Sequence, residues 1–183
     1  MRVVNLRRER AFVEQYIRLR DSYADLLLTS PVSREETEKW LWRDDIEVRG
    51  LEEDGILQGV AILYLHREGE IAFFVRERNR GIGARLLAII EEAARERGVP
   101  AVRAWTLKEN TAAQRVFEKC GFSREGKKMR EYKGEAREGV SFRKAFSVPD
   151  GGSGARMHTP GRPGEKRSDN EREQGTDGAY DGT

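Results

Sequence analysis

The sequence predicts an α/β chain of the α+β kind, with a mixed, mostly antiparallel central sheet flanked by helices. Two observations carry that expectation. Strand-like apolar runs at residues 46–51 and 56–65 are separated by Glu52-Glu53-Asp54-Gly55, and Asp-Gly between such runs is a strong hairpin signal. Further on, the aromatic-rich run 70–75 breaks into a basic, glycine-bearing loop, a long helix and another strand-like run at 101–107. A strand, a crossover helix and a strand in that order lie parallel in one sheet.

The elements follow in order. Val3 and Val4 open a short strand, and residues 8–20 set Phe12, Tyr16, Ile17 and Leu19 among charges as an amphipathic helix. The apolar stretch 23–28 is interrupted by Ser30-Pro31. Ser33-Arg34-Glu35-Glu36 has the form of a capping box and starts a short helix through Trp42. A turn at 66–69 leads from the hairpin into the strand at Glu70, giving an antiparallel meander. Ile82, Leu86, Ile89, Ile90 and Ala93 mark the apolar stripe of the next helix, which Gly98 and Pro100 end. After the run 101–107 come a helix over 112–119 closed by Gly121, a strand entered at Phe122, and a last strand over 138–146.

Composition narrows the function. A chain of 183 residues is long enough for one domain with a real core. From Val148 onward eight of the nineteen glycines and three of the five prolines gather with one aromatic, Tyr180. Such a segment cannot bury enough apolar surface to offset its ordering entropy. The expected division is therefore a domain over 1–147 and a low-complexity, disordered tail over 148–183. The longest apolar run is 60–65, far short of a membrane span, and the first ten residues turn charged where a leader would turn apolar. A cytoplasmic protein with no membrane partner is expected. One cysteine, Cys120, excludes an internal disulfide, and two histidines make a protein-built metal site improbable. A net charge of +2 is too small to argue nucleic-acid binding.

The loop between strand and helix carries the chemistry. At a helix start several backbone N–H groups lack an intrahelical partner and form the positive end of the dipole. Gly81 and Gly83 allow close approach of an anion, and Arg78, Arg80 and Arg85 add charge beside it. A dinucleotide fingerprint would need a third glycine where Leu86 stands, and the chain has no Gly-Lys-Ser or Gly-Lys-Thr for a triphosphate loop. What remains is a phosphate or pyrophosphate cradle of the form Arg78-x-x-Gly81-x-Gly83-Ala84.

That segment resembles the R/Q-x-x-G-x-G/A signature of the GNAT superfamily of N-acetyltransferases. A second stretch, Asn110-x-x-Ala113-x-x-Val116-Phe117-Glu118-Lys119-Cys120-Gly121-Phe122, is similar to the N-x-x-A-x-x-F/L-Y-E-K-x-G-F segment of the same superfamily. The resemblance covers residues 56–146 closely, and the N-terminal part in its element order. It implies a sheet splayed between the fourth and fifth strands with acetyl-CoA, as co-substrate, lying in the wedge. It also implies that pantetheine pairs with the backbone around Phe74 and Val75. The pyrophosphate contacts would run over Arg76, Arg78, Asn79, Arg80, Gly81, Ile82, Gly83 and Ala84, with Asn110 and Phe117 completing the cofactor site.

The reaction so implied is direct acetyl transfer to a primary amine, on a small molecule or on a protein N-terminus or lysine. Glu70 is the first candidate for the base and His66 the second. Phe117 stands where many members have a tyrosine acid, so Tyr132 or Cys120 is the expected substitute, or the thiolate leaves unassisted. Asn110 doubles as a helix N-cap. The acceptor site would draw on residues 22–45 and 124–142, with Trp40, Trp42, Asp44, Asp45, Tyr64, Trp105, Arg130 and Tyr132 as equal candidates. No metal is expected, and a monomer or homodimer is. Two other classes stay open: a catalytically weak acyl-CoA sensor, and a ribosome- or nucleic-acid-associated module.

Overall fold

A computed structural model describes residues 1–146. Seven strands build one sheet: β1 (Arg2–Asn5), β2 (Ile46–Glu53), β3 (Ile56–Tyr64), β4 (Glu70–Val75), β5 (Ala101–Leu107), β6 (Ser123–Tyr132) and β7 (Glu135–Ala145), in the spatial order β1-β2-β3-β4-β5-β7-β6. Every neighbouring pair is antiparallel except β4 with β5. The expected tail over 148–183, and with it the boundary at 147, lies outside the described residues.

Local chemistry explains most of the elements. Asp54 and Gly55 both take positive φ, at 54° and 77°, as the two-residue hairpin turn between β2 and β3 demands. The Ser33 hydroxyl accepts from the Glu36 N–H at 3.2 Å while the Glu36 carboxylate accepts from the Ser33 N–H at 3.1 Å, so the capping box starts helix α3 (Arg34–Leu41). The first long helix begins later than its periodicity suggests: a 3-10 turn at Arg10–Phe12 precedes α1 (Val13–Asp21). The four-residue α2 (Ala24–Leu27) ends at Leu28, which adopts a left-handed conformation.

The two faces of the sheet are covered differently. On one lie α4 (Ile82–Glu96) and α5 (Thr111–Lys119), which bury Leu86, Leu87 and Ile90 against Ala104, Phe117 and Phe142. On the other, α1 and α3 bury Tyr16 and Leu41 against Val60, Ile62 and Phe74. Each such apolar side chain contributes about 1.5–3 kcal/mol of burial, and together they clamp β3 and β4 from both sides.

The pairing of β4 sets up everything downstream. Its ladder with β3 runs its whole length, from Tyr64↔Glu70 to Gly59↔Val75. Its parallel ladder with β5 holds only Glu70↔Arg103 and Ile71↔Ala104. Beyond Ile71 the two strands separate, and the sheet opens as a wedge between the fourth and fifth strands. The C-terminal strands were the least legible part: Lys133 and Gly134, at φ 52° and 77°, turn the chain between β6 and β7. β7 rather than β6 then lies beside β5.

Candidate active site

Period-two alternation decides which groups of β4 face the wedge. The Arg76 N–H donates to the Gln58 carbonyl at 2.8 Å, so even-numbered β4 residues bond β3. On the other side the Gly69 carbonyl accepts from the Arg103 N–H at 3.1 Å. Odd-numbered residues therefore turn toward β5, and past Ile71 those are Phe73 and Val75. Phe74 differs from expectation: its backbone belongs to β3 and its side chain, 1% exposed, is buried against Tyr16 and Tyr23. The wedge-facing pair is one residue out of the expected register, Phe73 with Val75.

The loop after β4 ends on Gly81, which caps α4 at φ 70° with open space where its Cβ would be. The first-turn N–H groups of Ile82, Gly83 and Ala84 have no carbonyl of their own helix to bond. Gly83 is needed for a different reason from the one its motif suggests: a Cβ there would stand 2.9 Å from the Phe73 ring. Ile82 is buried, so only its backbone is available to a ligand, whereas Ala84 is exposed. Asn79 holds a left-handed conformation at φ 64°, which asparagine tolerates better than most residues.

The arginines of the loop divide. Arg76 turns back to the Leu57 carbonyl at 3.0 Å, and Arg80 bonds Glu53 at 3.0 Å and Gln58 at 3.5 Å. Arg78 is exposed and makes no ion pair among the described residues, so it alone of the three is uncommitted.

The second segment of the motif pair forms α5. Asn110 accepts from the Ala113 N–H at 3.3 Å and caps the helix. Phe117 is 2% exposed, wedged among Phe73, Phe122 and Phe142 with ring centroids 5.3–5.4 Å apart. Cys120 ends the helix with burial pushing its thiol upward. Phe117 therefore acts on the wedge through Phe73, not by direct exposure.

At the vertex of the wedge, on the face opposite α4, Glu70 and Trp105 flank the last β4–β5 pairs. The Glu70 carboxylate takes both terminal nitrogens of Arg130, one at 3.1 Å and one closer still, and lies 3.8 Å from Arg67. A cleft of about 250 Å³ opens here, lined by Glu70, Arg103, Trp105, Lys128, Arg130 and Ser141 among others. His66 is not brought in; its ring pairs with Asp45 at 3.1 Å. Tyr64 sits beside it with its phenol pushed up to about 12 by burial, so it stays protonated.

Two tyrosines tie the segment before α3 across this face. Tyr23 donates to the Val75 carbonyl at 2.8 Å, and Tyr132 donates to the Thr29 carbonyl at 2.6 Å. Tyr132 thus holds its proton on the chain rather than toward Glu70. Trp40 stacks on Tyr16 and is half-buried, while Trp42 is exposed under Arg10. Tyr23 and Gly139 fall inside the two expected acceptor ranges but, like Phe73 and Arg67, were not singled out; only Gly139, a glycine inside a strand, carried a local signal of close approach. Among the described residues no group of three or more His, Cys, Asp or Glu could hold a metal ion, and no helix is long and apolar enough to cross a membrane.

A strand pair that unzips onto a glycine-started helix is the splay that the resemblance of the sequence implies, and comparison with known proteins agrees. The model of the acetyltransferase (GNAT) family matches residues 14–122, more than half of the chain. The chain belongs to that family. Among solved structures, it is similar to a ribosomal-protein-alanine N-acetyltransferase from Brucella melitensis, at 22% identity and TM-score 0.70 over 80% of this chain and 100% of that one. It is also similar to yncA of Salmonella typhimurium, solved with its cofactor acetyl-CoA, at 17% identity and TM-score 0.68 over 82% and 98%. A third, from the same organism, modifies the N-terminal serine of a 50S ribosomal subunit protein and matches at 15% identity and TM-score 0.64 over 79% and 94%. These likenesses concern the fold.

Proposed function

We propose that this GNAT-family chain moves an acetyl group from acetyl-CoA to a primary amine by direct attack. The observation that carries the reading is the parting of β4 from β5 after Ile71, which leaves backbone groups of Phe73 and Val75 facing a gap that leads to the start of α4. The residues fit the co-substrate: the Gly81 side of the loop is open, the first-turn N–H groups of α4 suit a pyrophosphate, and Arg78 is uncommitted.

In the transfer, the lone pair of a neutral amine forms a C–N bond to the thioester carbonyl carbon, and the C–S bond breaks with its electron pair on sulfur. Glu70 takes the proton that frees the amine lone pair and releases it to water, and the second nitrogen proton, shed as the C–S bond breaks, reaches the thiolate through water. The N–H groups of Phe73 and Val75 are the donors available to pantetheine and to charge developing on the carbonyl oxygen. Tyr132 serves as a tie between the β6–β7 hairpin and Thr29. One observation favours a second reading, an acyl-CoA sensor: the Glu70 carboxylate is already gripped by Arg130. Acetyl-CoA binding without CoA release over a broad amine panel would select it.

The test is calorimetric titration of acetyl-CoA into the wild type and Ala84→Glu. A carboxylate at this exposed first-turn position suits the helix dipole, so the fold is not weakened, yet it repels a pyrophosphate. Affinity should fall by about tenfold or more with an undiminished Tm. Equal affinity in the two proteins would remove the cradle from α4.

A further inference from the structure

The ion pair in the cleft is built to hold a carboxylate. The Arg130 guanidinium lies 4.6 Å from the centroid of the Trp105 ring, and its fork meets Glu70. Trp105 is fixed in turn: its indole N–H donates to the Lys128 carbonyl at 3.0 Å, and its ring fills the space a side chain at Gly139 would take. A guanidinium stacked on an aromatic face and aimed fork-first is carboxylate-recognition geometry. The Arg130 Nε–H edge has no hydrogen bond among the described residues. Around it the rim leans positive. Arg67 is 3.8 Å from Glu70, Arg103 pairs only with the exposed Glu68 at 3.5 Å, and Lys128 makes no ion pair among the described residues. A second opening of about 550 Å³ shares Glu70, Arg103, Lys128 and Arg130 with this cleft, so the ion pair stands where the two meet.

An exchange argument gives the acceptor class. A simple amine that binds Glu70 must pull it from Arg130 and offers the arginine nothing in return, and a partly buried charge left without its partner is costly. A molecule carrying both an ammonium and a carboxylate replaces both partners at once. Resting on the reading of this cleft as the acceptor site, the geometry points to an amine bearing a carboxylate a few bonds from its nitrogen, of the amino-acid type, since Glu70 and Arg130 are in direct contact. Glu70 receives its ammonium and Arg130 its carboxylate. Arg130 is then a specificity residue, and the Trp105–Gly139 contact positions it.

The experiment compares kcat/KM for matched acceptors, an amino acid and the amine left when its carboxylate is removed, each corrected for the neutral amine present. The wild type should prefer the carboxylate-bearing partner by at least about tenfold, near the worth of one charge-assisted hydrogen bond. Arg130→Gln should bring the two close to parity, chiefly through KM, with acetyl-CoA affinity by titration unchanged. Arg130→Lys, which keeps the charge and loses the fork, should fall between and stands in if the glutamine variant does not fold. No preference in the wild type, or a preference that survives Arg130→Gln, overturns the proposal. So does acetylation of acidic peptide N-termini with none of free amino acids. Failure to bind acetyl-CoA at all would instead strike the acetyltransfer reading.

Discussion

At its carboxyl end β4 runs into an exposed loop whose useful groups are backbone N–H donors and one uncommitted arginine. At its amino end it presents a half-buried carboxylate held by an arginine sixty residues further along the chain. The first site is assembled within about ten residues of sequence and needs only the turn and helix that those residues form. The second requires β6 to fold back beside β7, β7 to pair with β5, and Trp105 to lie over Gly139. Damage to the distant strands should therefore disable the acceptor end while sparing the cradle end, and the converse should hold for the loop.

The largest expected effect is at the amino end. Glu70→Gln removes the proton acceptor and should lower kcat by about 10²–10⁴-fold while acetyl-CoA affinity, read by titration, stays within twofold or so. Loss of affinity in parallel with rate would mean that the two ends are not separable. Next, Gly139→Val sharpens the distinction through the fold. A Cβ there overlaps the Trp105 ring and comes within 2.6 Å of the Thr106 carbonyl. Urea denaturation should show a loss of about 1–3 kcal/mol from overpacking, and acetyl transfer should fall while acetyl-CoA still binds. The smallest effect separates neighbours within the loop. Arg78→Ala should weaken acetyl-CoA binding severalfold, and more than Arg80→Ala, whose guanidinium is already occupied by Glu53 and Gln58. Equal losses would show that Arg80 leaves those partners for the ligand.

The same divide runs between what was legible in the sequence and what was not. The capping box at Ser33, the Asp54-Gly55 hairpin, the helix after Gly81 and the Asn110 cap all read correctly, because each is a contest between groups a few residues apart. The separation of β4 from β5 followed from a family resemblance, not from any local pattern. The register was misplaced by one residue at Phe74, since period two tells which residues share an edge but not which edge faces which neighbour. The Lys133-Gly134 turn was missed because lysine is not a residue that ordinarily signals positive φ.

By itself the sequence determined most of the elements, their order, the parallel crossover and the exposed loop with its glycines, since backbone conformation and hydrophobic period are short-range properties. Only the tertiary structure decided that Gly83 is needed by Phe73, that Phe117 is sealed among three other rings, and that Arg130 rather than water meets Glu70. The Phe117 contacts with Phe73 and Phe142 and the Arg130–Glu70 pair join residues far apart in the chain, and even Gly83 meets Phe73 only once the strand and helix pack together. They are settled by which strand edges close together, and by the cost of leaving a carboxylate or a guanidinium in a half-buried cleft without its opposite charge.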